Sequence, residues 1–350
     1  MNIKIINNQK PKKLPKESEI HFGTDFSDHM FIMDYNPEKG WHNACIMPYG
    51  DLSISPAAMV FHYGQEMFEG MKAYRTPKGI ALFRPGENLK RFNNSCGRMC
   101  MPELDIDFVI DAIKQLVKLD ERWVLPYPDT SLYLRPFIIA TDHSLAVEPS
   151  KTFKFIIICS PCRPMYGLDL SKVYVEDNYV RTVRGMLGYT KAGANYVGAM
   201  CAQEYAHEQG FDQVLWLDGV EQKYIEEVGA MNIFFVIGDE VITPELGGTI
   251  LSGVTRKSVI ELLRKRGYKV SERKISIDEV QKAYKEGRLK EAFGTGTGAV
   301  ILPMGTFKYN NNNMIISKDK IGKITKEVYN TLTGIQFGKL EDEFGWTLLA

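Results

Sequence analysis

The chain has 350 residues, of which 44% are hydrophobic and 25% charged, so a soluble globular protein with two domains and a substantial core is expected. Lysine and arginine together number 43, as do aspartate and glutamate, and the formal net charge is zero. No bulk field therefore attracts nucleic acid or anionic lipid, and an anion must be bound at a local site.

The lack of a recognisable targeting signal and the small number of cysteines lead us to expect a cytoplasmic protein. The polar start carries no apolar signal-peptide core, and no run reaches the roughly 18 apolar residues of a membrane span. The six cysteines come without a secretory signal, so reduced thiols are expected. Cys159 and Cys162 have C-x-x-C spacing, for which a redox role is the less common alternative. No second close pair supplies the further ligands of a zinc site, and we expect no metal.

The first half of the chain combines short strands with one strongly periodic helix. Apolar residues recur at helical spacing over 106–117, and strands are predicted at 132–139 and 153–159. Proline and glycine residues that stop regular structure follow directly. We therefore predict a smaller N-terminal α/β domain at 1–160, a linker at 161–174 and a larger C-terminal domain at 175–350.

The second half alternates predicted strands with predicted helices, so this domain is also mixed α/β. The helix after Lys191 should bury one apolar face and end at Gly210. Ser252 is the predicted N-cap of a later helix, and Ser276 with Glu279 forms a predicted capping box. The buried helix face is expected to consist of Val197, Cys201 and Tyr205, and the strands are expected at 173–176, 213–217 and 232–237.

Lys191 stands out because small residues surround it in the stretch GYTKAGANY, 188–196. A lysine on a loop is most often a solvated surface charge. Bare backbone on both sides favours instead the close approach of a flat group, with the amine enclosed beside it. An enclosed amine of lowered pKa can act as a nucleophile or a proton carrier. The stretch alone leaves both interpretations open.

Three further stretches are candidate phosphate sites, although each type is most often plain structure. Residues 251–256 open a predicted helix, where free N–H groups and the helix dipole favour an anion. The Gly/Thr loop 293–299 offers backbone amides, and 84–91 offers guanidinium groups. Pyridoxal phosphate would use such a site together with a lysine and an acid, for which Glu226 and Glu227 at a strand end are candidates.

The loop at 294–299 also fits the dinucleotide pattern G-x-G-x-x-[GA]. That pattern requires a long helix to follow, whereas an apolar strand that ends at Pro303 is predicted. A nicotinamide-dependent oxidoreductase is therefore the weaker alternative.

Longer blocks of the sequence resemble the branched-chain amino acid aminotransferases, which are class IV (fold type IV) pyridoxal-phosphate enzymes. The blocks run in the family's order, and the chain resembles the longer, eukaryote-like form. The resemblance implies a homodimer of subunits with two mixed α/β domains and the cofactor at their interface. The blocks are FGTDFSDHM (22–30), HYGQEMFEGMKAYR (62–75), SLYLRP (131–136), GYTKAGANY (188–196), QVLWLDG (213–219), EVGAMN (227–232), LSGVTRKS (251–258) and EAFGTGTGA (291–299).

The resemblance assigns the cofactor contacts. Lys191 takes the position of the Schiff-base lysine, which also moves a proton between the substrate α-carbon and the cofactor. Glu227 takes the position of the acid that faces the pyridine nitrogen, and Tyr196 that of the phenol beside the ring oxygen. Arg181 resembles the arginine that stands beside the ring and its acid. The positions implied for the phosphate are Arg91, Val254, Thr255 and Thr297.

The resemblance also outlines an apolar substrate pocket, although aromatic residues of this kind are most often plain core. Tyr133 and Arg135 resemble the handles for the second carboxylate of glutamate. The amides of Thr297 and Gly298 resemble those that hold the α-carboxylate. The loop of Val147 is expected to reach the partner subunit. The implied walls are Phe22, Tyr63, Phe68, Tyr133, Val147 and Tyr166.

The implied reaction moves the amino group of leucine, isoleucine or valine to the cofactor and then to 2-oxoglutarate, giving a branched 2-oxo acid and L-glutamate. Ala230 replaces a threonine that often follows Glu-Val-Gly in the family, which removes one hydroxyl near the cofactor. Residues 298–301 lack the C-x-x-C of the mammalian mitochondrial form, so no thiol switch is expected there. A D-amino acid aminotransferase of the same class is the nearest alternative.

Overall fold

In the computed structural model, which describes residues 1–164 and 167–350, each of two structural units is built on one mixed β-sheet. Of the described residues, the first unit takes 1–164, 190–193 and 334–350, and the second takes 167–189 and 194–333. The chain passes from one unit to the other more than once, so a single linker does not describe the division. The Lys191 segment belongs to the first unit, although the sequence placed it in the range 175–350.

The sheet of the first unit is almost entirely antiparallel. Its strands are β1 (Lys4–Ile5), β2 (His29–Asn36), β3 (Gly40–Pro48), β4 (Glu66–Phe68), β5 (Met71–Thr76), β6 (Gly79–Phe83), β7 (Ser131–Ala140), β8 (Phe153–Cys162) and a last strand, Thr347–Leu349, numbered β18 in chain order. The strand order is β1-β3-β2-β8-β7-β5-β6-β18, with β4 paired to β7. Only β1 and β3 run parallel among the described pairs.

One face of this sheet forms a core with helices. The helical elements are α1 (Met59–Tyr63), α2 (Pro85–Arg98), α3 (Ile106–Leu119) and the 3-10 turns Glu17–Glu19 and Glu121–Trp123. The predicted helix at 106–117 is confirmed as α3, which begins where Asp105 accepts the N–H of Phe108 at 3.1 Å. Ile113 of α3 and Leu134 of β7 are fully buried in the same core. Because side chains alternate along a strand, Tyr133 and Arg135 point to the other face.

The second sheet closes partly on itself. Its strands are β9 (Ser171–Glu176), β10 (Gln213–Leu217), β11 (Ile225–Val228), β12 (Met231–Ile237), β13 (Glu240–Thr243), β14 (Lys269–Glu272), β15 (Leu289–Gly296), β16 (Val300–Tyr309) and β17 (Asn312–Ile315). Their order is β11-β10-β9-β16-β15-β12-β13-β14, with β17 on β16, and β11 also pairs with β12. The strands predicted at 173–176, 213–217 and 232–237 are confirmed, and they lie in this ring.

The helices of the second unit are α4 (Ala194–Glu208), α5 (Val254–Lys265), α6 (Ile277–Lys285) and α7 (Lys323–Gln336), whose last residues belong to the first unit. The buried face predicted for α4 is wrong, because Val197, Cys201 and Tyr205 are exposed. Small residues, Ala202 and Ala206, pack against β10 instead and allow the helix to approach it closely. In the described part of the chain, no helix is long and apolar enough to cross a bilayer.

The helix caps differ from the predicted ones in two places. The N-cap of α5 is Gly253 rather than Ser252, and a Cβ at Gly253 would overlap Oδ1 of Asn232. Ser276 caps α6 by accepting the N–H of Glu279 at 3.1 Å. The Glu279 carboxylate pairs with a neighbouring arginine at 2.6 Å, so no return bond completes the predicted capping box.

The segment predicted as a linker at 161–174 is partly strand. β8 continues to Cys162, and β9 begins at Ser171. Cys159 and Cys162 therefore lie on opposite faces of one extended strand, with Cα atoms about 10 Å apart from the strand rise, beyond the roughly 7 Å that a disulfide spans. Among the described residues, no three Cys, His, Asp or Glu side chains group as metal ligands.

This geometry predicts that the protein unfolded without reductant shows all six cysteines as titratable thiols. In the native protein, only the exposed Cys100 and Cys201 should react rapidly with a chromogenic disulfide reagent. Stopped-flow absorbance before and after denaturation measures both populations. Two fewer thiols in the unfolded protein would contradict the placement of Cys159 and Cys162.

Candidate active site

The backbone around Lys191 is held as a short extra strand in the first unit. Ala192 forms an antiparallel bridge with Met67 of β4, and the carbonyl of Lys191 accepts the N–H of Phe68 at 3.1 Å. The N–H of Lys191 donates to the Ser95 hydroxyl on α2 at 3.3 Å. Because these bonds use the polar groups that a free loop would present to water, Lys191 has a fixed position.

The glycines of the GYTKAGANY stretch make room for atoms of the protein itself. A Cβ at Gly193 would overlap Oε1 of Glu66, which accepts the Gly193 N–H at 2.8 Å. A Cβ at Gly188 would overlap the side chain of Thr182 and the carbonyl oxygen of Thr249. The expectation that bare backbone awaits a flat ligand at these two glycines is therefore wrong, and internal packing explains them.

Phe68 and four other residues that the sequence singled out lie close together. Nζ of Lys191 lies 4.8 Å from the centroid of the Phe68 ring, and the guanidinium carbon of Arg135 lies 4.4 Å from it. Nη2 of Arg135 donates to the Tyr133 hydroxyl at 3.2 Å. The Phe22 ring meets the Tyr133 ring edge-on at 4.9 Å. An amine, a guanidinium and aromatic walls are thus grouped within the first unit.

A buried ion pair that the sequence reading missed lies beside this group. Nε and Nη2 of Arg91 donate to the two carboxylate oxygens of Glu69 at 2.6 and 2.9 Å. Asn88 and the N–H of Gly70 also donate to Glu69, at 3.0 and 2.9 Å. Burial raises the pKa of Glu69, but Arg91 and, more weakly, Lys191 outweigh it and hold the pKa below its usual range. The sequence did offer a signal for this pair, because Glu69 is an acid that stands among the apolar residues Met67, Phe68 and Met71.

Two predicted pocket residues, Tyr63 and Val147, are exposed. Tyr63 is 44% exposed at the end of α1, and its hydroxyl donates to the carbonyl of Leu145. Val147 is 87% exposed, more than any other exposed apolar residue of the described chain. Tyr166 lies outside the described residues. Exposure of this degree means that Val147 lines no pocket within its own unit.

In the second unit, Glu227 is a buried acid held from several sides. It is 3% exposed, and its Oε2 lies 3.3 Å from Nε of Arg181. Its Oε1 accepts the N–H of Leu251 at 2.8 Å and a weaker bond from Asn232 at 3.4 Å. Arg181 is anchored in turn by the carbonyl of Gly188 at 2.9 Å. Hydrogen bonds and a guanidinium favour the charged form of a buried carboxylate, which can then face a protonated ring nitrogen.

The start of α5 provides a set of outward N–H groups. Val254 and Thr255 form its first turn, and both are buried. The first intrahelical bond joins the N–H of Lys257 to the carbonyl of Gly253. The preceding N–H groups have no partner within the helix, so this end favours an anion.

The predicted glycine loop forms the turn between β15 and β16. Thr297 and Gly298 lie in this turn, which closes at Val300 with a φ of +59°, a conformation that is rare for a β-branched residue. The hydroxyl of Thr295, which precedes the turn, is buried without a hydrogen-bond partner among the described residues. Tyr196 lies half-buried in the first turn of α4. An orphan hydroxyl and turn amides suit a bound polar group.

Considered unit by unit, the donor groups fit a phosphorylated pyridine aldehyde. The first unit has a fixed amine at Lys191 and the guanidinium of Arg91. The second has the buried acid Glu227, the N–H groups of the α5 start and the orphan hydroxyl of Thr295. An aldehyde needs the amine, a ring nitrogen needs the acid, and a phosphate needs N–H donors or arginine.

The Glu69–Arg91 pair yields a stability prediction. Glu69→Gln leaves the buried guanidinium without its counter-ion and should lower the free energy of unfolding by about 3 kcal/mol. The matched control is Glu17→Gln, since Glu17 pairs with Arg163 at 2.8 Å while both side chains are over 40% exposed. That control should cost less than about 1 kcal/mol. Urea unfolding measures both, and equal losses would contradict the assignment.

The comparisons with known proteins agree with one another. The family model described as amino-transferase class IV matches residues 66–305. The chain is 50% identical over 352 residues to branched-chain-amino-acid transaminase 1 of Bacillus subtilis (strain 168), covering 99% of each chain. It is 44% identical over 333 residues to the branched-chain-amino-acid aminotransferase of Mycolicibacterium smegmatis (strain ATCC 700084 / mc(2)155), covering 93% of this chain and 90% of that one.

Solved structures show the same likeness. The branched-chain amino acid aminotransferase of Escherichia coli aligns with a TM-score of 0.75 at 25% identity. The alignment covers 91% of this chain and 98% of that one. From its sequence and its fold, the chain belongs to the class IV aminotransferase family.

Proposed function

We propose that the protein is a branched-chain L-amino acid transaminase that uses pyridoxal 5'-phosphate. It moves the amino group of leucine, isoleucine or valine to 2-oxoglutarate and gives L-glutamate. The observation that carries the proposal is the fixed position of Lys191, with its amine 4.8 Å from the Phe68 ring. Full-length relatives at 44% and 50% identity with this activity in their names support it.

The cofactor, when bound, supplies an electron sink that stabilises negative charge at the substrate α-carbon. We propose that Lys191 would hold the cofactor at its aldehyde group and would move a proton at the substrate α-carbon. Glu227 would keep the ring nitrogen protonated, and the Tyr196 hydroxyl would donate to the ring oxygen. Arg181 keeps Glu227 ionised and in place. The proposed phosphate ligands are Arg91, Val254, Thr255 and Thr297.

The substrate pocket must accept an aliphatic chain and, later, a carboxylate. Phe22, Phe68 and Tyr133 provide apolar walls, which stabilise each buried CH₂ by about 0.8 kcal/mol. Arg135 donates to the Tyr133 hydroxyl at 3.2 Å, and we propose that this pair binds the second carboxylate of 2-oxoglutarate. We propose that the amides at Thr297 and Gly298 hold the α-carboxylate that all substrates share, and that Tyr63 and Tyr166 complete the walls.

The substitution Lys191→Ala tests the reaction. The variant should lose more than about 1000-fold in transamination of L-leucine, because both the nucleophile and the proton carrier are removed. Lys90→Ala is the control, since Lys90 is an exposed partner of Glu87. The wild-type visible absorbance should change with L-leucine. A change with D-alanine instead would favour the D-amino acid aminotransferase alternative, and NADH binding by a colourless protein the oxidoreductase.

We also propose a homodimer in which Val147 acts in the pocket of the partner subunit. Its exposure within its own unit supports this arrangement. Lys191→Ala and Val147→Asp chains should each be inactive, whereas hetero-dimers formed by co-expression should regain activity at one site. In that site, the intact Lys191 of one chain meets the intact Val147 of the other. Sedimentation equilibrium that shows a monomer, or co-expression without recovery, would contradict the arrangement.

We propose that the enzyme works in the cytoplasm. The support is chemical: the described cysteines are all free thiols, and Cys96, Cys159 and Cys162 are buried without disulfide partners. Free thiols persist where the surroundings are reducing.

A further inference from the structure

A second acid, Glu226, is buried beside Glu227 on β11 and has no part in the proposed reaction. It is 6% exposed, and its Oε1 accepts the hydroxyl of Thr249 at 2.5 Å. Its Oε2 has no hydrogen-bond partner among the described residues. Because buried carboxyl oxygens are nearly always paired, an unpaired one indicates a group with a special state or role.

Residues 249–251, which we call the clamp segment, connect the two acids. The Thr249 hydroxyl donates to Glu226, and the N–H of Leu251 donates to Glu227 at 2.8 Å. The Thr249 carbonyl accepts a bond from Arg181, which also pairs with Glu227. The clamp segment ends three positions before Val254, the first residue of α5. A change at Glu226 can therefore reach Arg181 through hydrogen bonds of Thr249, and the start of α5 along the chain.

Burial, more than the charges around it, favours the neutral form of Glu226. Burial raises its pKa to about 7, and the charges of Glu227 and Asp218 act in the same direction. The Thr249 hydrogen bond and the charge of Arg181 act against them. One guanidinium thus faces two acids, and its ion pair, at 3.3 Å, is with Glu227. If Glu226 ionised, the two carboxylates would compete for Arg181.

On another side, Glu226 lines a cavity of about 280 Å³. The cavity can hold several water molecules, so the carboxyl can exchange its proton with solvent. The other charged groups in this lining are the basic Arg184 and Lys274 and the acidic Asp218, Glu221 and Glu245. The lining therefore has no excess positive charge that would compensate an ionised Glu226.

We propose that Glu226 is a positioning residue whose proton keeps Arg181 committed to Glu227 and holds the clamp segment in place. Ionised Glu226 draws Arg181 away from Glu227 and disturbs the start of α5. Cofactor retention then falls. The inference rests on the proposed function for its link to the cofactor, because there Glu227 faces the ring nitrogen.

The test begins with the apoprotein, so that its first result does not depend on the cofactor. A carboxyl whose folded pKa is raised contributes stability that is complete below its unfolded pKa and is lost as pH rises through the folded value. Between the ordinary value of 4.5 and about 7, the wild-type Tm should therefore fall relative to Glu226→Gln. Glu245→Gln, at the same cavity but exposed, should follow the wild type. Parallel curves for all three proteins would overturn the proposal.

The second measurement is the rate at which holoenzyme loses its cofactor, followed by absorbance. Between about pH 6.5 and pH 8.5, the wild-type rate should rise at least about threefold more than that of Glu226→Gln. Thr249→Val should raise the rate at all pH values, and it serves as the second variant if Glu226→Gln fails to fold. A Tm difference with unchanged cofactor loss would overturn the link to Arg181 and Glu227. A protein that never binds pyridoxal phosphate would refute the proposed function. The dependence of the apoprotein Tm on pH would still test whether the Glu226 proton holds the clamp segment in place.

Discussion

The position of the Lys191 amine depends on a few backbone hydrogen bonds to β4 and α2. Lysine has a long side chain with many rotamers, so a defined amine position requires a defined backbone first. Pairing of Ala192 with Met67, and of Lys191 with Phe68, provides it. The close contact of Gly193 with Glu66 leaves no room for a larger residue. This explains why a segment near the start of the second half of the sequence belongs to the first unit.

In each unit a buried acid is paired with an arginine. Glu69 accepts two bonds from Arg91, and Glu227 lies 3.3 Å from Nε of Arg181 and accepts the N–H of Leu251. Such pairs are costly to break rather than strongly stabilising, because removing one partner leaves the other charge buried. They therefore fix geometry. Glu226 differs because it has only one bond and no cation of its own.

Local patterns in the sequence predicted local structure well. The helix α3 and the strand β10 carry their apolar periodicity within their own residues, and both appear where expected. Non-local contacts could not be read in the same way. Val197 looked like a core residue, yet the small residues of α4 pack instead. The roles of Gly188 and Glu69 depend on residues distant in the sequence, such as Thr249, so no short window contains them. The site residues named from the family resemblance remain predictions.

Covalent trapping of the cofactor tests the role of Lys191 more directly than any activity measurement. Holoenzyme is reduced with borohydride, digested, and mapped by mass spectrometry. We expect a single phosphopyridoxyl label on Lys191, within the peptide that contains GYTKAGANY, and none on the exposed Lys90. A label on any other lysine, or no label in a protein that retains its visible band, would refute the assignment of Lys191.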